Sequence, residues 1–503
     1  VGKVFEVYDP AHSSYREQNA EVGAVVREIF ANNDWGSRLS ALRTSEDRQA
    51  QFLWAIFRDV FHYCAWHLAN IADSARDIDF ALRWGFGWAQ GPFETWQAAG
   101  WNGVAQAVAE DIAQGRALAP TAALPAWVLE PTRKGVHGVE GSWSALAAQF
   151  VPRSSLAVYQ RQIFPENLFG EAQPSPAGET LLETAAVRLW RLPQEMGVGI
   201  LSFKTKQHVI NAAVLEGILQ ALAYAEAQLD ALVLWHEAPF AFGADLSEVL
   251  SLAQAQHVAA MDKFVTQFQQ VTQALRFATI PVVAGVQGLA LGGGCELTQH
   301  CAARVLALES GLGLVEAGVG LIPAGGGCKT LALQAATQAA TSSTPNYVMA
   351  YLQSTFMTLA FATVSKNALD AVEMGLAKTA DKVLFHPREV LWVALSQARA
   401  LADASYAPPA YQRAIPIAGR AGIAMLETTL VNLREGGMIS AHDYRVARAL
   451  AVALCGGEIE GGSLVDEAWL LAVEKRLFLE LLQTPETQAR IAHVLTTGKP
   501  LRN

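Results

Sequence analysis

The stretch GVQGLALGGGCELTQHCA, residues 285–302, follows a short apolar run and sets three consecutive glycines, Gly292 to Gly294, directly before a helical pattern. Glycines at such a junction let a ligand approach the backbone closely, and the N-terminus of a helix offers unpaired N–H groups with a partial positive charge. The combination stabilises an anion. Glu296 stands in the first helical turn beside these donors, and twenty residues later GLGLVEAGVGLIPAGGG, residues 311–327, carries Glu316 in glycine-rich, otherwise apolar surroundings. Two carboxyl groups near one electrophile can divide acid and base work if their environments push their pKa values apart. Taken singly, each also has a plainer explanation: tight helix-to-strand packing for the glycines, dipole stabilisation for Glu296, and a solvated loop charge for Glu316.

Working outward, LDALVLW (residues 229–235) is a buried strand that leads into PFAFGADLSEV (239–249). Val187 to Leu192 and Val198 to Phe203 form a hairpin around the turn Pro193 to Gly197, and Asn211 to Gln228 is helical. Met261, Phe264, Val265, Phe268 and Leu275 line one face of a long helix that runs into the strand IPVVAGVQG. Short apolar strands alternating with helices predict an α/β layer architecture with glycine-rich loops at strand ends.

The flanks differ. Gln51 to Ala72 and Ser74 to Gly87 read as two helices rich in Trp and Phe, and strands are hard to find before residue 180. GEAQPSPAGET, residues 170–180, is the expected linker. From Ala368 onward the pattern is mainly helical, broken at Pro408 and Pro409, at Gly436 and Gly437, and at Gly456 and Gly457, with Ser440 and Asp443 as a helix N-cap pair. The most apolar helical stretch, Tyr347 to Val364, contains Gln353, Ser354, Thr355 and Thr358 and reads as a buried helix, so no integral membrane segment is expected.

With 503 residues the chain is too long for one core, and 51% hydrophobic against 17% charged residues marks it as folded throughout. A net charge of -10 without a basic stripe argues against nucleic acid as partner. Five scattered cysteines suggest neither disulfides nor a zinc site, and fit a reducing cytoplasm. The opening VGKVFEVYDP is not a secretory signal, and a start at Val1 without Met suggests a fragment of something longer. GGGCKT, residues 325–330, fails the phosphate-loop spacing because Cys328 separates Gly327 from Lys329. His62 and His67, five apart, do not share a helical face well and are expected to be ordinary core or surface histidines.

FGADL and ALGGGCEL at their mutual distance, followed by VEAGVGLIPAGGG, resemble the crotonase, or enoyl-CoA hydratase/isomerase, superfamily over about residues 185–400. The resemblance implies a ββα core, amides of Ala244 and Gly293 as an oxyanion hole for an acyl-CoA thioester, and Glu296 and Glu316 holding and activating water. Retention of both glutamates points to hydration of trans-2-enoyl-CoA, with isomerisation or a non-catalytic assembly role as the alternatives. Three positions depart from the usual pattern: Ala302 where Asp is common, Ser247 where Lys is common, and Ala324 in place of Gly. Phe52 to Gly100, with ADSARDIDFALRWGFGWAQGPFETW, looks like the C-terminal helical domain of 3-hydroxyacyl-CoA dehydrogenases. The order of parts is similar to bacterial two-activity β-oxidation proteins that pair with a thiolase, and an oligomer is expected. The implied division is 1–180 helical and dehydrogenase-like, 181–400 crotonase, and 401–503 a helical C-terminal region. No G-x-G-x-x-G follows a strand near the start, so NAD is expected only through a dinucleotide-binding domain missing here, and hydration itself needs no cofactor.

Overall fold

The computed structural model describes residues 6–18, 21–171, 178–343 and 347–503. Most of the expected linker, residues 172–177, lies outside them. The chain divides into two compact units, the first running to Tyr159 and resuming at Phe164, the second comprising Gln160–Ile163 and everything described from Gly178 onward.

The first unit is built on six helices, Ala24–Ala31, Trp35–Thr44, Arg48–Ile71, Ala75–Phe86, Pro92–Ala98 and Trp101–Ala113. Their ends follow local chemistry. Asp47 caps the long third helix through the Ala50 amide, and Ser74 with Asp77 forms a capping box on the fourth, which ends at Gly87 with φ of +68°. Trp54, Phe61, Phe93, Trp96 and Trp101 fill the core. The turn Gly91 to Glu94 exists because Asp79 accepts from the amides of Phe93 and Glu94 at 2.9 Å each; a Cβ on Gly91 would lie 2.4 Å from Asp79. Asp79 also bonds His137 Nε2 at 2.8 Å, and His137 Nδ1 lies 2.8 Å from Ser142 Oγ, all three residues being buried. This serine, histidine and aspartate set ties the helices to a small sheet.

That sheet corrects the expectation of few strands before residue 180. His137–Gly138, Gly141–Ser144 and Gln149–Val151 pair antiparallel, as do Glu6–Asp9 and Ser14–Glu17. Strands of two to four residues are too short to display an alternating pattern. His62 is buried and the His67 ring lies tilted against Tyr63 with centroids 4.4 Å apart, which fits the ordinary roles expected of both. Phe52, Ile56, Tyr63 and Trp66 stay exposed along the outside of Arg48–Ile71.

The second unit is organised by a seven-stranded sheet whose spatial order follows chain order: β1 (Glu179–Glu183), β2 (Val187–Arg191), β3 (Val198–Phe203), β4 (Ala231–Trp235), β5 (Val282–Val286), β6 (Ala303–Ala307) and β7 (Lys382–Leu384). β1 to β3 form an antiparallel meander, and β3 to β7 are parallel. Parallel strands require crossovers, and helix Ala212–Gln228, capped by Asn211 on the Val214 amide, supplies the first. Helix Val258–Arg276 buries the apolar face expected of it.

A second parallel pair, Leu289–Leu291 with Gly311–Gly313, stands apart from the main sheet and carries the site. The C-terminal helices share the core of this unit rather than forming one of their own: Leu450, Leu454, Leu477 and Leu481 belong to the same apolar cluster as Phe268, Leu297 and Ile322. Ser440 and Asp443 make the expected capping box. Met349–Ala360 is a partly buried helix, and no helix among the described residues is long and apolar enough to cross a membrane.

Leu232 lies in the middle of β4 with no exposed surface. Leu232→Ala is expected to destabilise the second unit by ~2–5 kcal/mol, read as a lowered urea midpoint with an unchanged slope.

Candidate active site

Register builds the site. In the small parallel pair Leu291 sits opposite Gly313, so the chain leaves one strand into helix Gly293–Gln299 and the other into the single turn Glu316–Val319, side by side. The Gly292 amide donates to Gly313 O at 2.8 Å and locks the two exits together. A third segment joins them when the Ala241 amide donates to Leu289 O at 3.0 Å and the Leu291 amide donates to Ala241 O at 2.9 Å. Gly243, at φ of +87°, then packs so closely that an added Cβ would lie 2.9 Å from Leu291 O and 3.3 Å from the Gly293 nitrogen.

The two amides named from the resemblance lie together at this crossing. Gly243 O accepts from the Ile210 amide and the Asp245 amide donates to Ile210 O, so the Ala244 amide between them faces the opposite way. Gly293 is the first residue of its helix, where no carbonyl one turn earlier can accept its N–H. Ala244, Gly293, Glu296 and Glu316 all line one cavity. The rest of its wall is largely apolar, with Phe242, Leu246, Val249, Phe264, Phe268, Ile322 and Phe478 among the lining residues and no Lys, Arg or His.

The two carboxyl groups are treated differently. Glu296 is buried, and its Oε1 accepts from the Gly325 amide at 2.9 Å and the Gly327 amide at 2.7 Å. Both positions need glycine, since an added Cβ would fall within 2.8 and 2.7 Å of the Glu296 oxygens. Burial pushes Glu296 up to about 7, held back by these two donors and by the charge of Lys329. Glu316 keeps some exposed surface as a residue, yet its Oε2 is enclosed and has no hydrogen-bond partner among the described residues. Burial first, and the charges of Glu296 and Glu474 after it, push Glu316 well above the ordinary carboxyl range.

Sequence reasoning did not reach Glu474, Phe478 or Lys329. Glu474 lies on helix Glu467–Leu482, buried behind the loop that holds Glu296. Its signal was present as an acid on the apolar stripe Leu470, Val473, Leu477 and Leu481. Lys329, in the failed phosphate-loop motif, is buried 3.3 Å from Glu467 and 3.2 Å from His300 Nε2. Ser247, where a Lys was looked for, bonds to Asp245 at the start of helix Leu246–Gln254.

Residues 194–346 match the family model of enoyl-CoA hydratase/isomerase. The chain carries an enoyl-CoA hydratase/isomerase domain. It is also 30% identical over its whole length to a "Probable 3-hydroxyacyl-CoA dehydrogenase" of Bacillus subtilis, of which it covers 61%. A "Fatty acid oxidation complex subunit alpha" of Idiomarina loihiensis is 29% identical over 59% of this chain and 38% of its own length. The chain thus spans less than two thirds of the length of either relative. Among solved structures, a carnitinyl-CoA dehydratase from Mycobacterium thermoresistibile aligns with 63% of this chain and 91% of its own at 16% identity and a TM-score of 0.44.

Glu296→Gln and Glu316→Gln preserve shape but remove proton exchange; each is expected to lower kcat by ~10²–10⁴ with little change in KM, checked by steady-state kinetics on variants of normal circular dichroism. The limb of the pH–rate profile that Glu296 carries is expected at about pH 7 rather than near 4.5.

Proposed function

We propose that this chain hydrates trans-2-enoyl-CoA thioesters to 3-hydroxyacyl-CoA in fatty-acid β-oxidation. The observation that carries the reading is the pair of unequal carboxyl groups that line one largely apolar cavity together with Ala244 and Gly293. The thioester carbonyl accepts from the Ala244 and Gly293 amides, which strengthen their hold as negative charge moves onto that oxygen. Glu296, whose two N–H donors favour the carboxylate, takes a proton from the water that attacks C3. Glu316, with no donor on its buried oxygen, is held protonated and delivers its proton to C2. The hydroxyl ends on C3 and the hydrogen on C2. Addition of water is redox-neutral, so NAD has no part in this site; 3-hydroxyacyl oxidation is proposed only where a dinucleotide-binding domain accompanies the chain.

Isomerisation would need a single shuttling carboxyl group, and the enclosure of both in one cavity favours hydration. The exposed aromatic face of Arg48–Ile71 supports assembly with a partner such as a thiolase or a second copy. Five unpaired cysteines support a reducing compartment, the cytoplasm.

Purified chain is expected to abolish the ultraviolet absorbance of crotonyl-CoA and to yield the 3-hydroxy thioester; persistence of the absorbance, or a shifted double bond in the product, overturns the reading. Because no cationic side chain lines the cavity, an enoyl-CoA whose acyl chain ends in a carboxylate should react at least ~10²-fold more slowly in kcat/KM than its methyl-terminated counterpart.

A further inference from the structure

Loop Ala324 to Lys329 is held from two sides. On the cavity side Glu296 takes the amides of Gly325 and Gly327. From behind, Glu474 takes two other amides: Oε1 accepts from Gly326 at 2.6 Å and Oε2 from Lys329 at 2.9 Å. Gly326, at φ of +104°, turns its N–H away from Glu296 so that neighbouring amides serve opposite carboxyl groups. Gln269 fixes Glu474 in turn, its Nε2 donating to Glu474 Oε1 at 3.2 Å and to Ala324 O at 2.9 Å. Glu474 does not line the cavity, while Phe478, one turn further along the same helix, does.

We infer that Glu474 is a positioning residue for Glu296: it holds the half of the glycine loop that Glu296 does not, and so fixes the amides that aim the carboxylate at water. The inference rests on the hydratase reading. The groups facing Glu474 are Glu296 and Glu316 from the cavity side, and Lys329, itself backed by His300 and Glu467, from helix Gly327–Ala340. Helix Val258–Arg276 presents Gln269 and, further along, Arg276, which pairs with Glu467 at 3.3 Å, while Lys475 turns outward to Asp262. Helix Ala441–Leu454 packs on it with apolar residues. Burial and the neighbouring Glu296 push Glu474 up to about 8.

The experiment uses the full chain and crotonyl-CoA. Absence of hydration by the parent chain sinks the functional reading and not this inference alone. With an active parent, Glu474→Gln is expected to lower kcat by ~10- to 100-fold with KM within about threefold. The limb that Glu296 carries should move to higher pH, because the Gly325 and Gly327 amides that favour its carboxylate are no longer held in place. Glu474→Asp shortens the reach to the Gly326 and Lys329 amides, and should lower kcat and move the limb in the same direction. A folded Glu474→Gln with parental kcat, or with a lower kcat and an unmoved limb, overturns the inference. If that variant does not fold, Gln269→Met decides: a kcat reduced about threefold or more at constant KM supports the clamp, and parental kcat refutes it.

Discussion

A carboxyl group taken out of water must be given donors or surrender its charge, and the architecture around the cavity answers that constraint twice, in opposite ways. Glu296 receives two backbone amides on one oxygen. Glu316 has an enclosed oxygen with no donor. Burial raises both; Glu296 is held back by its two donors and by Lys329, whereas the charge of Glu296 pushes Glu316 further up. Had both been solvated, they would titrate alike and no division of proton work would follow.

The glycines follow from this. Amides can reach a carboxylate oxygen only where no side chain intervenes. At Gly325 and Gly327 a Cβ would press against Glu296, and at Gly292 it would lie 3.0 Å from Glu316 Oε1. The crossing of Gly243 over Gly292 and Gly293 brings together the two segments that carry the Ala244 and Gly293 amides. Sheet topology sets the stage: sequential parallel strands deliver successive loops to one end, where the short pair Leu289–Leu291 and Gly311–Gly313 brings two of them into register.

These features differ in how legible they were. The triple glycine before Glu296, the loop at Gly243 and Ala244, and Glu316 in its apolar run could all be picked out along the chain, because each is a local departure from ordinary composition. The hairpin of β2 and β3 and the helix Val258–Arg276 were equally plain, since their periods extend over many residues. What escaped was either short or remote. Strands such as His137–Gly138 give no alternation to detect, and the C-terminal helices read as a separate region because a shared core leaves no mark in linear order. Lys329 looked like part of a broken phosphate loop; its role as a buried counter-charge to Glu467 depends on a contact across more than a hundred residues.

The matched segment of 194–346 is therefore smaller than the physical unit that makes the site. Gly326 and Lys329 would present unpaired amides toward an apolar core if helix Glu467–Leu482 were absent, and the cavity would lose Phe478 from its wall. Buried amides without acceptors are costly, so the loop would rearrange rather than keep its shape, carrying the Gly325 and Gly327 amides with it. The geometry of Glu296 thus depends on a segment nearly 180 residues away in sequence. The two carboxyl groups lie inside the matched segment, but the precision with which Glu296 is held comes in part from outside it.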